Sequence, residues 1–322
     1  MTLQQIKSFF LSHWKELLIL LSILIMGALL WTVSMQARQK TAHITMATYN
    51  LRYINKSDPP KGNNWERRCP WIAKIIQSYG FEVFGTQEGY KRQLEDLKAL
   101  LPGYEYFGRG REDGVDKGEH SAIFYRTDLF QLIDHGDFWL SETPDKPGLG
   151  WDAACIRICT WGHFRHLASG REFLFFSLHM DHVGKKARME SARLVMRKMQ
   201  ELGSGLPAIL VGDFNVDQNS DEYKSILDSG IFKDAYQAAE FRHAPNGTFN
   251  GFNPSGYTTS RIDHMFLSPV IKVKKYAILT DTYRTRPEGY VNPPVDPYST
   301  TVMPYVARTP SDHYPVRIEV EF

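Results

Sequence analysis

The sequence predicts an α/β fold, and three observations carry that prediction. Short β-rich runs alternate with runs of helical period along most of the chain. One run, Ile209-Leu210-Val211-Gly212-Asp213-Phe214-Asn215, opens on uninterrupted apolar residues bounded by glycine, the pattern of a strand buried on both faces. Several strands close on a polar residue, and open α/β sheets build their sites at the carboxyl ends of strands. Gly212 is expected to end its strand in a sharp turn. Asp213 and Asn215, two apart on an extended backbone, then project to one side. Taken alone, the pair fits an Asx turn equally well.

The totals bound the answer. The chain has 322 residues, enough for one large domain or two ordinary ones. Its hydrophobic fraction of 43% and charged fraction of 23% are those of a globular protein. A net charge of +2 carries no electrostatic footprint for nucleic acid. Cys69, Cys155 and Cys159 are too few, and odd in number, for a disulfide framework. Cys155 and Cys159 read as sharing one face of a strand, too far apart to bridge, and as buried thiols and not metal ligands.

Residues 17–33 form an almost wholly apolar run, uncharged through to residue 37. That matches the roughly 20 residues needed to span a bilayer. The expectation is a single-pass transmembrane signal anchor over 17–37 after a polar lead, the catalytic part lying outside the cytosol. A cleaved signal peptide, releasing a secreted protein, is the alternative. Lys7 and Lys15 before the run and Arg38 and Lys40 after it leave little charge bias. The domain division is therefore 1–42 for lead and anchor and 43–322 for the catalytic domain.

Within 43–322 the elements follow in order. A first strand over 44–51 ends near Asn50, and a helix follows Trp65-Glu66-Arg67-Arg68 through Ile72, Ile75 and Ile76. A second strand over 81–88 closes in Glu88, and a helix over 93–101 is stopped by Pro102-Gly103. Strands follow over 119–126, opening on Glu119, and over 173–179, closing in His179. His179, Asp181 and His182 are close enough to suggest zinc, but no cysteine or histidine pair at zinc-finger spacing supports it. A long helix over 187–202 precedes the strand at 209, and a short helix around 223–227 follows it. Asp263 lies near the start of a strand over 261–267. Asp312 and His313, adjacent and so facing opposite sides of an extended backbone, precede the last strand over 317–322.

Asn50, Glu88, Glu119, His179, Asp213 with Asn215, Asp263, and Asp312 with His313, in this order and at strand ends, resemble the endonuclease/exonuclease/phosphatase superfamily. This is the group of deoxyribonuclease I, the abasic-site endonucleases, the deadenylases, the inositol polyphosphate 5-phosphatases and the neutral sphingomyelinases. Runs such as Gly247-Thr248-Phe249-Asn250-Gly251 resemble a bacterial branch of it. The resemblance covers 43–322 and implies a deoxyribonuclease I-like four-layer α/β sandwich, two packed mixed β-sheets flanked by helices. It implies that Asn50, Glu88 and Asp312 ligate Mg²⁺ or Mn²⁺, which hard oxygen donors suit. It further implies that Asp213 orients or deprotonates the attacking water, and that Asn215 and His179 contact phosphoryl oxygens. His313 is implied as base or phosphate ligand, oriented by Asp263, with Glu119 as the partner of His179. Two departures stand out: Ser177 where asparagine is common, and His264 where an aromatic is common.

The chemistry agrees with the resemblance. A phosphate ester needs an in-line nucleophile, charge neutralisation on the phosphoryl oxygens and help for the leaving oxygen. Two histidine–carboxylate pairs beside an oxygen-ligated metal meet those needs. The expected enzyme is a metal-dependent phosphodiesterase or nuclease. The alternatives are a phosphatase or phospholipase on lipid or inositol head groups, and an inactive binding module. The expected partners are a phosphate-ester substrate, nucleic acid among the candidates, and a membrane through the N-terminal helix. No protein partner is inferred and a monomer is expected. Trp65, Tyr90, Tyr104, Trp139 and Trp151 are candidates for a base-stacking groove, as Arg157 is for a phosphate contact.

Overall fold

A computed structural model of the chain describes residues 13–16, 18–28, 41–203, 205–287, 289–291 and 303–322. The strands are β1 (His43–Asn50), β2 (Val83–Gln87), β3 (Tyr104–Phe107), β4 (Ile123–Arg126), β5 (Phe130–Trp139), β6 (Ile158–His166), β7 (Glu172–His179), β8 (Ala208–Asp213), β9 (Lys233–Asp234), β10 (Phe241–His243), β11 (Asp263–Leu267), β12 (Lys272–Ile278), β13 (Tyr283–Thr285), β14 (Val306–Arg308) and β15 (Val316–Glu321). The helices are α1 (Trp65–Ser78), α2 (Lys91–Ala99), α3 (Lys185–Leu202), α4 (Asp221–Asp228) and α5 (Ala235–Ala238).

One mixed sheet runs β10-β12-β15-β1-β2-β4-β3 and the other β5-β6-β7-β8-β11-β9, with β13 and β14 as a separate ribbon. Strand alternation decides the layers. In β8, Ile209 and Val211 face the inter-sheet core with Ile44, Met46, Phe173 and Phe175. Leu210 turns outward to α3 and α4, packing with Val195, Met199, Tyr223 and Ile226. On the other side, Ala47, Tyr49 and Phe84 pack against Ile72 and Ile76 of α1 and Leu94 and Leu97 of α2. Two sheets with helices outside make the four-layer sandwich that the resemblance implies.

Some expectations need correction. Gly212 does not end its strand, because β8 continues to Asp213. Glycine is required there because the backbone has φ +152° and an added Cβ would collide with the Leu178 carbonyl oxygen of β7. Cys155 is not on a strand with Cys159, since β6 begins at Ile158. The backbone N–H groups of Ala154 and Cys155 both donate to Asp181 Oδ2 at 3.1 Å, so a side chain takes the donors that a sheet would use. Cys159 is buried and Cys155 only partly so. Glu119 precedes β4, which starts at Ile123; His120 makes an isolated bridge to Gly89 instead. Trp65, Tyr104 and Trp139 are core residues, not groove residues.

Among the described residues no helix is long and apolar enough to cross a membrane. The anchor expected over 17–37 therefore gains no support here. Residues 17 and 29–37 lie outside the described ones.

Candidate active site

The topology gathers the site at one edge of the sandwich. β1 and β2 are parallel, as are β7 and β8, so Asn50, Glu88, His179 and Asp213 leave their strands side by side. β15 is antiparallel to β1, which returns Asp312 and His313 beside Asn50. β11 is antiparallel to β8, and its register sets Asp263 directly opposite Asp213. Glu88, Glu119, His179, Asp213, Asn215, Asp312 and His313 line one cleft of about 650 Å³, with Asn50 and Asp263 buried around it. The nine residues to which the resemblance assigns roles therefore meet in one place.

The centre is the carboxylate of Asp213. Its Oδ2 accepts from Asn50 Nδ2 at 3.0 Å and lies 3.5 Å from His179 Nε2 and 3.7 Å from His313 Nε2. Its Oδ1 accepts from the Asn215 backbone N–H at 2.9 Å, the Asx turn that the spacing allowed. Burial and the charge of Asp263 push the Asp213 carboxyl up to about 7. His313 Nδ1 lies 2.9 Å from Asp263 Oδ2. Burial opposes a charged imidazole there, but Asp263, Asp213 and Asp312 outweigh it and raise the pKa of His313. His179 moves the other way, lowered by burial and by Arg157 and Arg111.

The second histidine–carboxylate pair does not form as expected. His179 Nδ1 is 3.9 Å from Glu119 Oε2, too long for a hydrogen bond, and is buried without a partner. Glu119 instead accepts from Arg111 Nη1 at 2.7 Å. Asn215 Nδ2 lies 3.0 Å from His179 Nε2 and donates to the Met180 carbonyl at 2.9 Å.

Strain concentrates here. Arg52, Glu88 and Asn215 hold φ of +56°, +65° and +53°, a region that side chains other than glycine seldom adopt. Arg68 of α1 shows what fixes the first of these. Its guanidinium, 1% exposed, donates to the carbonyls of Leu51, Arg52, Asn63 and Pro310 at 2.7–3.0 Å. It thereby ties the turn after β1 to the turn before Asp312.

The donor set fits a divalent cation of the Mg²⁺ class. Glu88 and Asp213 present carboxylate oxygens within 4.8 Å of each other, and the Asn50 amide is 3.0 Å from Glu88 Oε1; His313, the third member of that group, is not a ligand while Asp263 keeps it protonated. Asp312 is outside that group of three, and its Oδ2 pairs with Arg52 Nη1 at 3.5 Å. Cys155, Asp181 and His182 form another close group. Asp181 there already accepts four backbone N–H groups and lies 3.6 Å from Arg157 Nε, so its oxygens are engaged.

Sequence reasoning missed Arg52, Tyr53, Arg111 and Phe249, all of which line the cleft with Tyr90, Arg157 and His182. Arg52 carried a signal, being the cation nearest the end of the first strand. Arg111 lies in a glycine-rich loop and carried none. The two departures resolve simply. His264 packs among Phe214, Tyr223 and Phe266, as an aromatic would, and its Nε2 lies 2.9 Å from the Val216 carbonyl. Ser177 sits between the sheets and accepts from Gln87 Nε2 at 3.2 Å, away from the cleft.

The Endonuclease/Exonuclease/phosphatase family model matches residues 47–313. A solved endonuclease/exonuclease/phosphatase family protein from Bacteroides thetaiotaomicron is 54% identical, covering 88% of this chain and 99% of its own, with a TM-score of 0.82. A mannosyl-6-phosphatase from the same species is 55% identical over 87% of this chain and 100% of its own, at a TM-score of 0.81. The zebrafish protein TDP2, solved with a single-strand DNA product, is 16% identical at a TM-score of 0.59 over 87% of this chain and 99% of its own, a likeness of fold alone. Among curated proteins, two from Acanthamoeba polyphaga mimivirus are 30% and 21% identical over 48% and 79% of this chain, which spans 60% and 43% of their lengths. Fold, strand-end constellation and family match agree: the chain belongs to the endonuclease/exonuclease/phosphatase family and is a phosphoric ester hydrolase.

Proposed function

We propose that this enzyme is a divalent-metal-dependent phosphatase acting on a sugar phosphate monoester. The observation that carries the reading is that one cleft is lined both by carboxylates, Glu88, Asp213 and Asp312 among them, and by three arginines, Arg52, Arg111 and Arg157. A monoester dianion carries more charge than a diester and needs a denser cationic wall, which guanidinium groups supply in bidentate geometry. The mannosyl-6-phosphatase at 55% identity supports the sugar as leaving group.

Glu88, with Asn50 and Asp312 beside it, would hold the cation, which would neutralise charge on the phosphoryl oxygens. Asp213 orients the attacking water and takes its proton; a carboxyl raised to about 7 is matched to that task near neutral pH. Asp263 orients the His313 ring and keeps it charged, so that His313 Nε2 serves the phosphoryl group as a cationic donor. Asn215 and His179 place further polar groups at the equatorial oxygens.

The test is phosphate release by the purified full chain with Mg²⁺ or Mn²⁺ from mannose 6-phosphate, bis-p-nitrophenyl phosphate, phosphoinositides and plasmid DNA. The reading expects EDTA-sensitive turnover of the hexose phosphate. Turnover of diester or DNA alone would replace it with the phosphodiesterase reading, and of phosphoinositides alone with the head-group reading. The uncharged run at 17–37 supports a further proposal, that the chain is held at a membrane. Release of the protein by alkaline carbonate would contradict it.

A further inference from the structure

Phe249 is an exposed aromatic on the lining of the cleft. Its ring is 48% exposed at the mouth of the cleft, with its centroid 5.1 Å from the His313 ring at an interplanar angle of 71°. The backbone beneath it is pinned to both halves of the site. The Tyr314 N–H donates to the Thr248 carbonyl at 2.7 Å, and the Asn250 N–H to the Asp312 carbonyl at 2.7 Å. Thr248 Oγ1, fully buried, accepts the backbone N–H groups of Ile262 and Asp263 at 2.9 and 3.1 Å. Asn250 closes the far side, donating to the Ser311 carbonyl at 3.2 Å and accepting from Thr309 Oγ1 at 3.0 Å. The ring is therefore fixed relative to His313, Asp263 and Asp312. Leaving that much aromatic surface wet forgoes burial free energy, which a bound ligand would recover.

We infer that Phe249 is the platform for the ring of the leaving-group sugar, packing against its apolar C–H face, and so determines substrate specificity. The rest of the cleft suits this occupant. Glu119 and His182 line the same cavity and offer hydrogen-bonding partners for hydroxyl groups. An aromatic ring together with polar side chains in one cavity matches the two characters of a pyranose. The inference rests on the sugar-phosphatase reading, and its test separates the two.

Phosphate release is measured for the wild type, Phe249→Ala and Phe249→Trp on mannose 6-phosphate and on glycerol 3-phosphate, which has no ring. The ring's exposure means its removal leaves no core cavity. Phe249→Ala is expected to lower kcat/KM for mannose 6-phosphate about tenfold, chiefly through KM, with less than about a twofold change on glycerol 3-phosphate. Phe249→Trp is expected to retain the preference for the ring. Equal losses on both esters, or no loss on either, would overturn the inference while leaving the enzyme a sugar phosphatase. Wild-type inactivity on mannose 6-phosphate would overturn the functional reading, and this inference with it.

Discussion

His313 and His179 approach the same carboxylate oxygen of Asp213, at 3.7 and 3.5 Å, yet they are built differently. His313 is backed by a buried carboxylate, with Nδ1 2.9 Å from Asp263. His179 faces Glu119 across 3.9 Å, because Arg111 has taken that carboxylate at 2.7 Å. The first arrangement favours an imidazolium, the second a neutral ring, and their pKa shifts run in opposite directions accordingly. Burial opposes charge in both rings; the carboxylates around His313 outweigh it, whereas Arg157 and Arg111 reinforce it at His179.

That contrast can be broken by substitution. Asp263→Asn should lower kcat by about 10²–10³, the scale of losing an oriented acid–base partner. Its effect should shrink at low pH, where His313 is protonated without help. Glu119→Gln should cost less than about tenfold, because Arg111 and not His179 is its partner. Comparable losses for the two variants, measured on one substrate under one buffer, would erase the distinction between the pairs.

A smaller effect concerns stability. Burial lowers the pKa of His264. A histidine with a depressed folded pKa contributes stability that is present above its unfolded pKa, near 6.5, and lost as pH falls towards the folded value. His264→Phe should keep the fold and remove that loss, worth at most about 1.4 kcal/mol per pH unit, between pH 6.5 and the folded pKa. Chemical denaturation at pH 7 and pH 5 would show it; an unchanged pH dependence would count against a neutral buried ring.

Much of this was legible in the sequence because strand ends are read directly. Asn50, Glu88, His179 and Asp213 follow apolar runs whose period is unambiguous, and parallel pairing carries strand ends to one edge. The partner of Glu119 was not legible. Arg111 reaches it from an eight-residue separation through a loop whose course depends on Gly110 and Trp139, whose Nε1–H donates to the Arg111 carbonyl. The course of 154–157 was hidden for a similar reason, since Asp181, distant in sequence, takes its backbone donors. Arg68 reads as one charge among several on a helix, and only the fold shows that it joins two turns of the site. Side chains that serve the backbone of another segment leave no periodic trace.

The most direct measurement is the titration of the two imidazoles by ¹⁵N NMR in the protein freed of divalent cations, assigned with His313→Gln and His179→Gln. His313 is expected to stay protonated above the ordinary imidazole value of about 6.5 and His179 to remain neutral below it. Two ordinary titrations near pH 6.5, or the same shift in both rings, would contradict this expectation.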